Sequence, residues 1–281
     1  MTVERQLFSR RTLLRGAGIV ALYPLDTIAM QNASGYGVTA LLDGTGMARI
    51  PPGEFQMGSP NGNADERPVH RVRISQAFEI GKCEVTQAQW EAVMSNAHVG
   101  RDATLVNADG ASVSRSPSRF KGASLPVDSV SWEDVALFLK RLNARDTRHA
   151  WRLPTEAEWE YACKAGGTQE AGIGAIAWYK ANSDDQTQPV ATKEPNAWGL
   201  YDMHGNVAEW VQDWYSPDYY ENSPSADPKG PEAAPETGSY RVFRGSCWHN
   251  TSENCRAAIR GFDFPVSRFD YVGFRLVRMA K

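Results

Sequence analysis

Near the C-terminus, the stretch RVFRGSCWHNTSENCRAAIR (residues 241–260) places Cys247 and Cys255 eight positions apart, with Trp248, His249 and Glu253 around them. Two thiols carried on strand, loop and strand can close a disulfide or clasp a soft ion such as copper. They can equally be a buried small residue and a lone thiol. His249 and Glu253 are the nearby groups able to serve as acid and base, provided they line a pocket with the sulfurs. With Cys83 and Cys163 the chain has four cysteines, a sparse set without CxxC or Cys/His zinc spacing.

Elements to position these groups are legible upstream. Met47–Ile50 and Phe55–Met57 read as strands around a Pro52-Gly53 turn, and Val69–Ile74 alternates apolar and polar as a half-buried strand does. Three helix starts carry their own caps. Thr86-Gln87-Ala88-Gln89 is a capping box, Ser131-Trp132-Glu133-Asp134 opens a second helix, and Thr155-Glu156-Ala157-Glu158 a third. In the second helix Val135, Phe138, Leu139 and Leu142 recur at helical spacing, with acids in the first turn and Lys140 and Arg141 later. Beyond Gly166 regular signals thin out. Ser216–Glu236 is rich in proline and acids and reads as a surface loop, and Tyr271–Arg278 reads as one closing strand.

The chain of 281 residues has ordinary globular composition, net charge −3 and pI about 6.0, which excludes the basic footprint of a nucleic-acid binder. Nine Trp among twenty-four Gly suggest a loop-rich fold pinned by buried aromatics. Residues 1–45 read as leader and linker, and 46–281 as the domain. Ser9-Arg10-Arg11-Thr12-Leu13-Leu14 is similar to a twin-arginine export signal, so a periplasmic or extracellular location is expected. The apolar run after it, broken by Arg15 and Pro24, is too short to span a membrane.

The blocks IPPGEFQMGS, ERPVHRVRI, KCEVTQAQW, LPVDSVSWEDV, WRLPTEAEWEYA, NAWGLYDMHGNVAEW, RVFRGSCW, CRAAIR and VGFRL follow one another from about Ile50 to Val277. Together they resemble the formylglycine-generating enzyme family, the sulfatase-modifying factors. The resemblance implies an α+β, C-type-lectin-like fold, irregular and loop-rich. It leaves function open, because such relatives include copper-dependent oxidases, a pyoverdine-maturation protein and display proteins diversified for ligand binding.

The resemblance also implies metals. Asp202 and Glu209 would give side-chain oxygens, and Gly205 and Val207 backbone oxygens, to Ca2+, a hard cation suited to them. Alternatively Asp202 caps a turn and Glu209 pairs with an arginine. A second calcium site is implied at Asn182 and Ser183, and His204 reads as a surface turn residue. The family's oxidases hold copper between two cysteines. Here Cys247 stands where they have serine, Asn250 where they have the first cysteine, and Ala208 where they have a tryptophan near the metal. Cys255 falls on the second ligand counting forward from Trp248, but on a non-ligand position counting back from Arg260, which aligns better. These departures argue against ordinary formylglycine formation.

Two functions are therefore expected. One is an exported oxidoreductase-like enzyme acting on a peptide or peptide-derived substrate through Cys247, Cys255, His249 and Glu253, with Cu or Fe. The other is a non-catalytic protein that binds a peptide, protein or small-molecule ligand. Its surface would be Trp248, Phe262, Phe264, Phe269 and Tyr271, within a C-terminal segment unusually aromatic for a stretch expected to be exposed.

Overall fold

The protein was analysed as a computed structural model that describes residues 46–95, 105–108, 110–165, 172–236 and 238–280. The expected leader, residues 1–45, lies outside the described residues. Among the described residues no helix is long and apolar enough to cross a membrane.

Strands β1 (Met47–Ile50), β4 (Phe78–Gly81), β10 (Val277–Ala280) and β5 (His149–Arg152) form an antiparallel sheet in the order β1-β4-β10-β5. This sheet brings the two ends of the domain to either side of β4. A two-stranded hairpin pairs β2 (Gly53–Met57) with β3 (His70–Ile74). The third sheet has the order β8-β7-β6-β9, from β6 (Ala208–Trp214), β7 (Arg241–Arg244), β8 (Arg260–Asp263) and β9 (Val272–Phe274), with only β6 and β9 parallel. It carries the cysteine segment between β7 and β8. Long irregular connections join these few strands and helices, as the α+β reading requires.

The three anticipated helices are α1 (Gln87–Met94), α2 (Trp132–Arg145) and α3 (Glu156–Lys164). Each begins with a complete capping box, Thr86 with Gln89, Ser131 with Asp134 and Thr155 with Glu158. Trp90, Trp159 and Trp210 are fully buried. Trp90 stacks on Phe138 at 5.4 Å, with Phe274 edge-on to both. The indole N–H groups of Trp90, Trp159 and Trp210 donate to Ser114 O (3.1 Å), Glu209 Oε2 (2.7 Å) and Val130 O (3.0 Å), so each bulky ring also ties a segment distant in sequence to the core.

Below β7 lies a buried ionic cluster. Arg260 grips Glu156 through Nε–Oε1 (2.7 Å) and Nη2–Oε2 (3.0 Å). Arg244 donates to Glu156 Oε1 (3.2 Å) and to Glu160 Oε2, and Glu160 also accepts from Gly58 N and Lys164 Nζ. This cluster fastens α3 to the sheet that bears the cysteines.

The expected single closing strand is two. Phe274 O accepts from Val85 N, and Leu276 O from Gly81 N, so the chain changes sheets across Arg275. The buried Arg275 side chain turns inward there, which alternation alone does not predict. Gly273 sits where a Cβ would lie 2.3 Å from Val127 O. Gly273→Ala is expected to cost about 1–3 kcal/mol, because backbone must move to admit it. An unchanged urea midpoint would contradict so close an approach of Val127 to β9.

Candidate functional site

The loop from Asp202 to Glu209 runs into β6 and is sharply turned, with Asp202 at φ 61° and Asn206 at φ 65°. Gly205 is packed so closely that a Cβ would meet Trp178 O at 2.3 Å. Asp202 Oδ2 accepts from Ala191 N at 2.7 Å, while its buried Oδ1 accepts from no N–H or hydroxyl donor. Glu84 is 1% exposed, and neither of its carboxyl oxygens accepts from an N–H or hydroxyl donor, its own proton bonding it to Asp202. Burial, reinforced by the charges of Asp202 and Glu209, pushes the Glu84 carboxyl well above the usual carboxylate range. Burial, with Glu209 adding to it, pushes Asp202 up to about 6.

Glu209 is engaged differently. Arg275 donates to it twice, Nε–Oε2 and Nη2–Oε1, both at 2.6 Å, and Trp159 donates at 2.7 Å. Arg275 also donates to Gly81 O and Tyr201 O, each at 3.0 Å. Arg275 thus binds one of three buried carboxyl groups and acts on the other two through its charge alone. Glu84 and Asp202, which share a hydrogen bond while Glu84 is protonated, offer hard oxygens that would suit a cation such as calcium once that proton is lost. Glu209, in this arrangement, is a partner of arginine. Among the described residues no three His, Cys, Asp or Glu side chains converge to hold a metal. The implied second site is otherwise used: Asn182 Oδ1 accepts from Tyr179 N at 2.8 Å, and Ser183 Oγ donates to Trp248 O at 2.7 Å.

The cysteine turn is anchored to this loop, since Trp248 N donates to Asn206 O at 2.8 Å. Cys247 is 1% exposed, its sulfur 3.7 Å from both ring nitrogens of His249. Burial pushes its thiol up to about 12, despite opposing hydrogen bonds from the backbone of His249 and Asn250. Cys255 is also buried, donates to Thr251 O at 3.5 Å, and is likewise raised by burial. Both are free thiols, as are Cys83 and Cys163. His249 lies edge-on to Trp248 and Tyr271, each at 4.8 Å, and burial lowers its pKa. Glu253 is exposed on a turn of 3-10 helix, its carboxyl held below the usual range by the Thr251 hydroxyl and neighbouring donors. A neutral thiol beside a neutral imidazole is therefore the resting chemistry of this turn.

The expected aromatic surface divides. Trp248 is 7% exposed, with its indole donating to Asp270 O at 3.1 Å. Phe269 and Tyr271 are half-buried and stacked at 5.0 Å. Phe262 and Phe264 alone stand out, 40% and 50% exposed.

His204, expected on the surface, packs inward with Nε2 3.5 Å from Cys163 Sγ. Sequence reading also missed Glu84, whose only signal is an acid placed between Cys83 and Val85 in an apolar run. It missed Asp128, which accepts from Arg119 N and Ser129 Oγ while its buried Oδ2 has no partner. Burial, with Asp270 contributing, pushes Asp128 up to about 6. The folded protein therefore holds this proton more tightly than the unfolded chain. Stability should fall as pH rises from about 4 to 6, by roughly 2–3 kcal/mol. Asp128→Asn is expected to flatten that slope in urea titrations at successive pH values; parallel wild-type and variant profiles would refute it.

The description "Sulfatase-modifying factor enzyme 1-like domain" matches residues 38–280. The formylglycine-generating enzyme of Streptomyces coelicolor is 33% identical over 288 residues, covering 82% of this chain and 88% of that protein. A Chlamydia pneumoniae protein named serine/threonine-protein kinase pkn1 is 33% identical over 248 residues, but the chain spans only 38% of its length. Among solved structures, PvdO from Pseudomonas aeruginosa superimposes with TM-score 0.71 and 29% identity over 83% of this chain and 93% of that one. Treponema denticola variable protein 1 does so with TM-score 0.66 and 28% identity, covering 82% and 94%. These likenesses agree with the C-type-lectin-like architecture expected from the sequence. By these matches, and by the block order that runs through its three sheets, the chain belongs to the formylglycine-generating enzyme (sulfatase-modifying factor) family.

Proposed function

We propose that this chain is an exported, ligand-binding member of the family, whose C-terminal face holds a peptide or protein segment. The observation that carries this reading is the contrast within that face. Cys247 and Cys255 are buried, protonated thiols, whereas Phe262, Phe264 and Val266 are 40%, 50% and 47% exposed. Exposed aromatics on and just beyond an edge strand supply contact area at little entropic cost. The name of the Treponema relative, a variable protein, is compatible with such a role. Selection of random peptides on the purified protein tests it. Peptides that bind wild type should lose affinity for the Phe262→Ala/Phe264→Ala variant; equal binding to both sinks the reading.

A second reading has its own support, the 3.7 Å approach of Cys247 Sγ to His249. It is an oxidoreductase acting on a peptide-derived thiol, with copper or iron at the sulfurs supplying the redox chemistry. Oxygen consumption by metal-loaded protein with a cysteine peptide would favour it, and its loss in Cys247→Ser would tie it to this thiol.

Calcium is part of the proposal. Asp202 and Glu84 would hold it, with carbonyls of Gly205 and Val207, and it would neutralise the surplus of buried carboxylates. At a hundredfold excess over its dissociation constant, calcium is expected to add about 2.7 kcal/mol of stability. Thermal melts with calcium and with chelator measure this, and Glu84→Gln should remove most of the difference. For export, a reporter carrying residues 1–45 should be retained inside the cell when Arg10 and Arg11 are both changed to lysine.

A further inference from the structure

A cavity of about 290 Å3 shares no lining residue with the Asp202–Glu209 loop or the cysteine turn. It opens where the connection from β3 to β4, the start of α3, β6, β10 and the loop 216–236 meet. Ala77, Phe78, Pro228 and Met279 are its apolar walls. Phe78 and Pro228 are buried, whereas Met279 is 42% exposed. The frame is fixed by contacts between segments far apart in the chain. Arg73 N donates to Ser225 O (2.8 Å) and Asp227 N to Arg73 O (2.9 Å). The Asp227 carboxylate accepts from Ser75 N (2.8 Å) and Ser75 Oγ (2.5 Å). This volume lies at the small end of ligand sites.

The charged groups of the lining are matched. Arg152 donates twice to Glu158, at 2.6 and 2.7 Å, and Glu158 Oε2 also accepts from Thr155 N at 2.8 Å. Although burial opposes it, hydrogen bonds from Ser75 and the charges of Arg73 and Lys229 hold the Asp227 carboxyl below the usual range. Lys229, also in the lining, therefore offsets Asp227. An ionic ligand would meet a like charge together with each opposite one. Two carboxamides are left over. Gln76 is exposed and Gln212 half-buried, and neither side chain has a hydrogen bond in the fold among the described residues. The Gln212 backbone is tied on both sides, its N–H donating to Pro154 O (2.9 Å) and its carbonyl accepting from Arg241 Nη1 (2.7 Å). The register between β6 and β7 shifts between Trp210 and Trp214, the interval that contains Gln212. Such a shift re-aims a side chain out of the regular alternation.

A carboxamide offers a donor and an acceptor together, the complement of another amide. Apolar walls reward a hydrocarbon body of modest size. Balanced fixed charges give no net preference for an anion or a cation, and bringing either into the cavity costs its hydration. We infer that this cavity binds an uncharged ligand with an apolar body and an amide group, which pairs with Gln212 and Gln76 while the body covers Phe78 and Met279. A residue within a peptide chain and a small free amide share this chemistry. The inference is independent of any role for Phe262, Phe264 and the cysteine turn, since none of them lines the cavity.

The test uses the whole chain with carbon-13 in its methionine methyl groups, followed by NMR. Met279→Leu identifies the Met279 signal. N-acetyl-leucine N-methylamide should move that signal saturably, with a dissociation constant of about 1 mM for a ligand of this size. N-acetyl-leucine, an anion, and leucine N-methylamide, a cation, should each bind several-fold more weakly. Gln212→Leu keeps similar volume and removes the amide, and should weaken the neutral ligand about tenfold. The exposed Gln76→Leu should act in the same direction, and unaltered melting temperatures verify that both variants fold. A capped glycine pentapeptide with leucine at its centre separates the two sources. Binding as tight as that of the single residue assigns the site to peptide chains, and weaker binding assigns it to small amides. The inference is overturned if Met279 does not respond at about 20 mM neutral amide, well above the expected constant. It is equally overturned if either charged analogue binds as tightly, or if both glutamine variants bind as wild type does.

Discussion

Arg244→Met is expected to destabilise the protein by about 3–5 kcal/mol, the usual cost of removing one partner from a buried ion pair. Arg244 is wholly buried and donates to Glu156, to Glu160 and to the carbonyls of Ala257 (2.8 Å) and Ala258 (3.1 Å). Methionine fills similar space but donates nothing. Glu160 would be left with Gly58 N and Lys164, and two carbonyls near the start of β8 would be stranded. For a domain of this size each kcal/mol corresponds to roughly 2–4 °C, so the melting temperature should fall by about 6–20 °C. Adding Glu160→Gln should recover part of the loss, because the stranded charge is removed. A single-variant loss below about 1 kcal/mol in urea titrations would mean that solvent reaches this cluster.

Arg275→Met should cost a similar amount, again about 3–5 kcal/mol, with a different signature. Arg275 is the sole cation hydrogen-bonded to Glu209 among the described residues, and Glu84 and Asp202 lie within the same field. Without it the Glu209 carboxylate keeps no hydrogen-bonded cation among the described residues, and Asp202 loses a nearby positive charge. The deficit should be largest at neutral pH. It should shrink towards pH 5, where Asp202, already raised to about 6 by burial, is protonated. If calcium binds there, it should stabilise Arg275→Met more than wild type, since it supplies the missing positive charge. Melts of both proteins at two pH values, with and without calcium, separate these effects. A loss independent of both pH and calcium would show that Arg275 acts mainly through Gly81 O and Tyr201 O.

The local signals proved dependable where the physics is local. Thr86, Ser131 and Thr155 each satisfy free amides within one helical turn, and all three helices start there. Alternation from Val69 to Ile74 corresponds to β3 because one face of the hairpin is buried. Tyr271–Arg278 misled because its alternation is continuous while its hydrogen-bonding partners change at Arg275. β6 was not anticipated, since Ala208–Trp214 is buried along most of its length and shows no simple alternation.

For the site, the types and order of residues were enough to single out the Asp202–Glu209 loop and the Cys247 turn, and to identify the family. Chain order says nothing of which carboxylate faces which cation. Glu84 is distant in sequence from Asp202, and Arg275 from Glu209, and only the packed sheets bring them together. Likewise, aromatic composition picked out Trp248, Phe262, Phe264, Phe269 and Tyr271 as one group, but folding divides them, because a side chain is exposed or buried by what packs over it. The sequence by itself determined the caps, the family and the chemical inventory. The tertiary structure decided which acids are neutralised, which thiols are sealed and which rings meet solvent, because burial and charge pairing are properties of segments far apart along the chain.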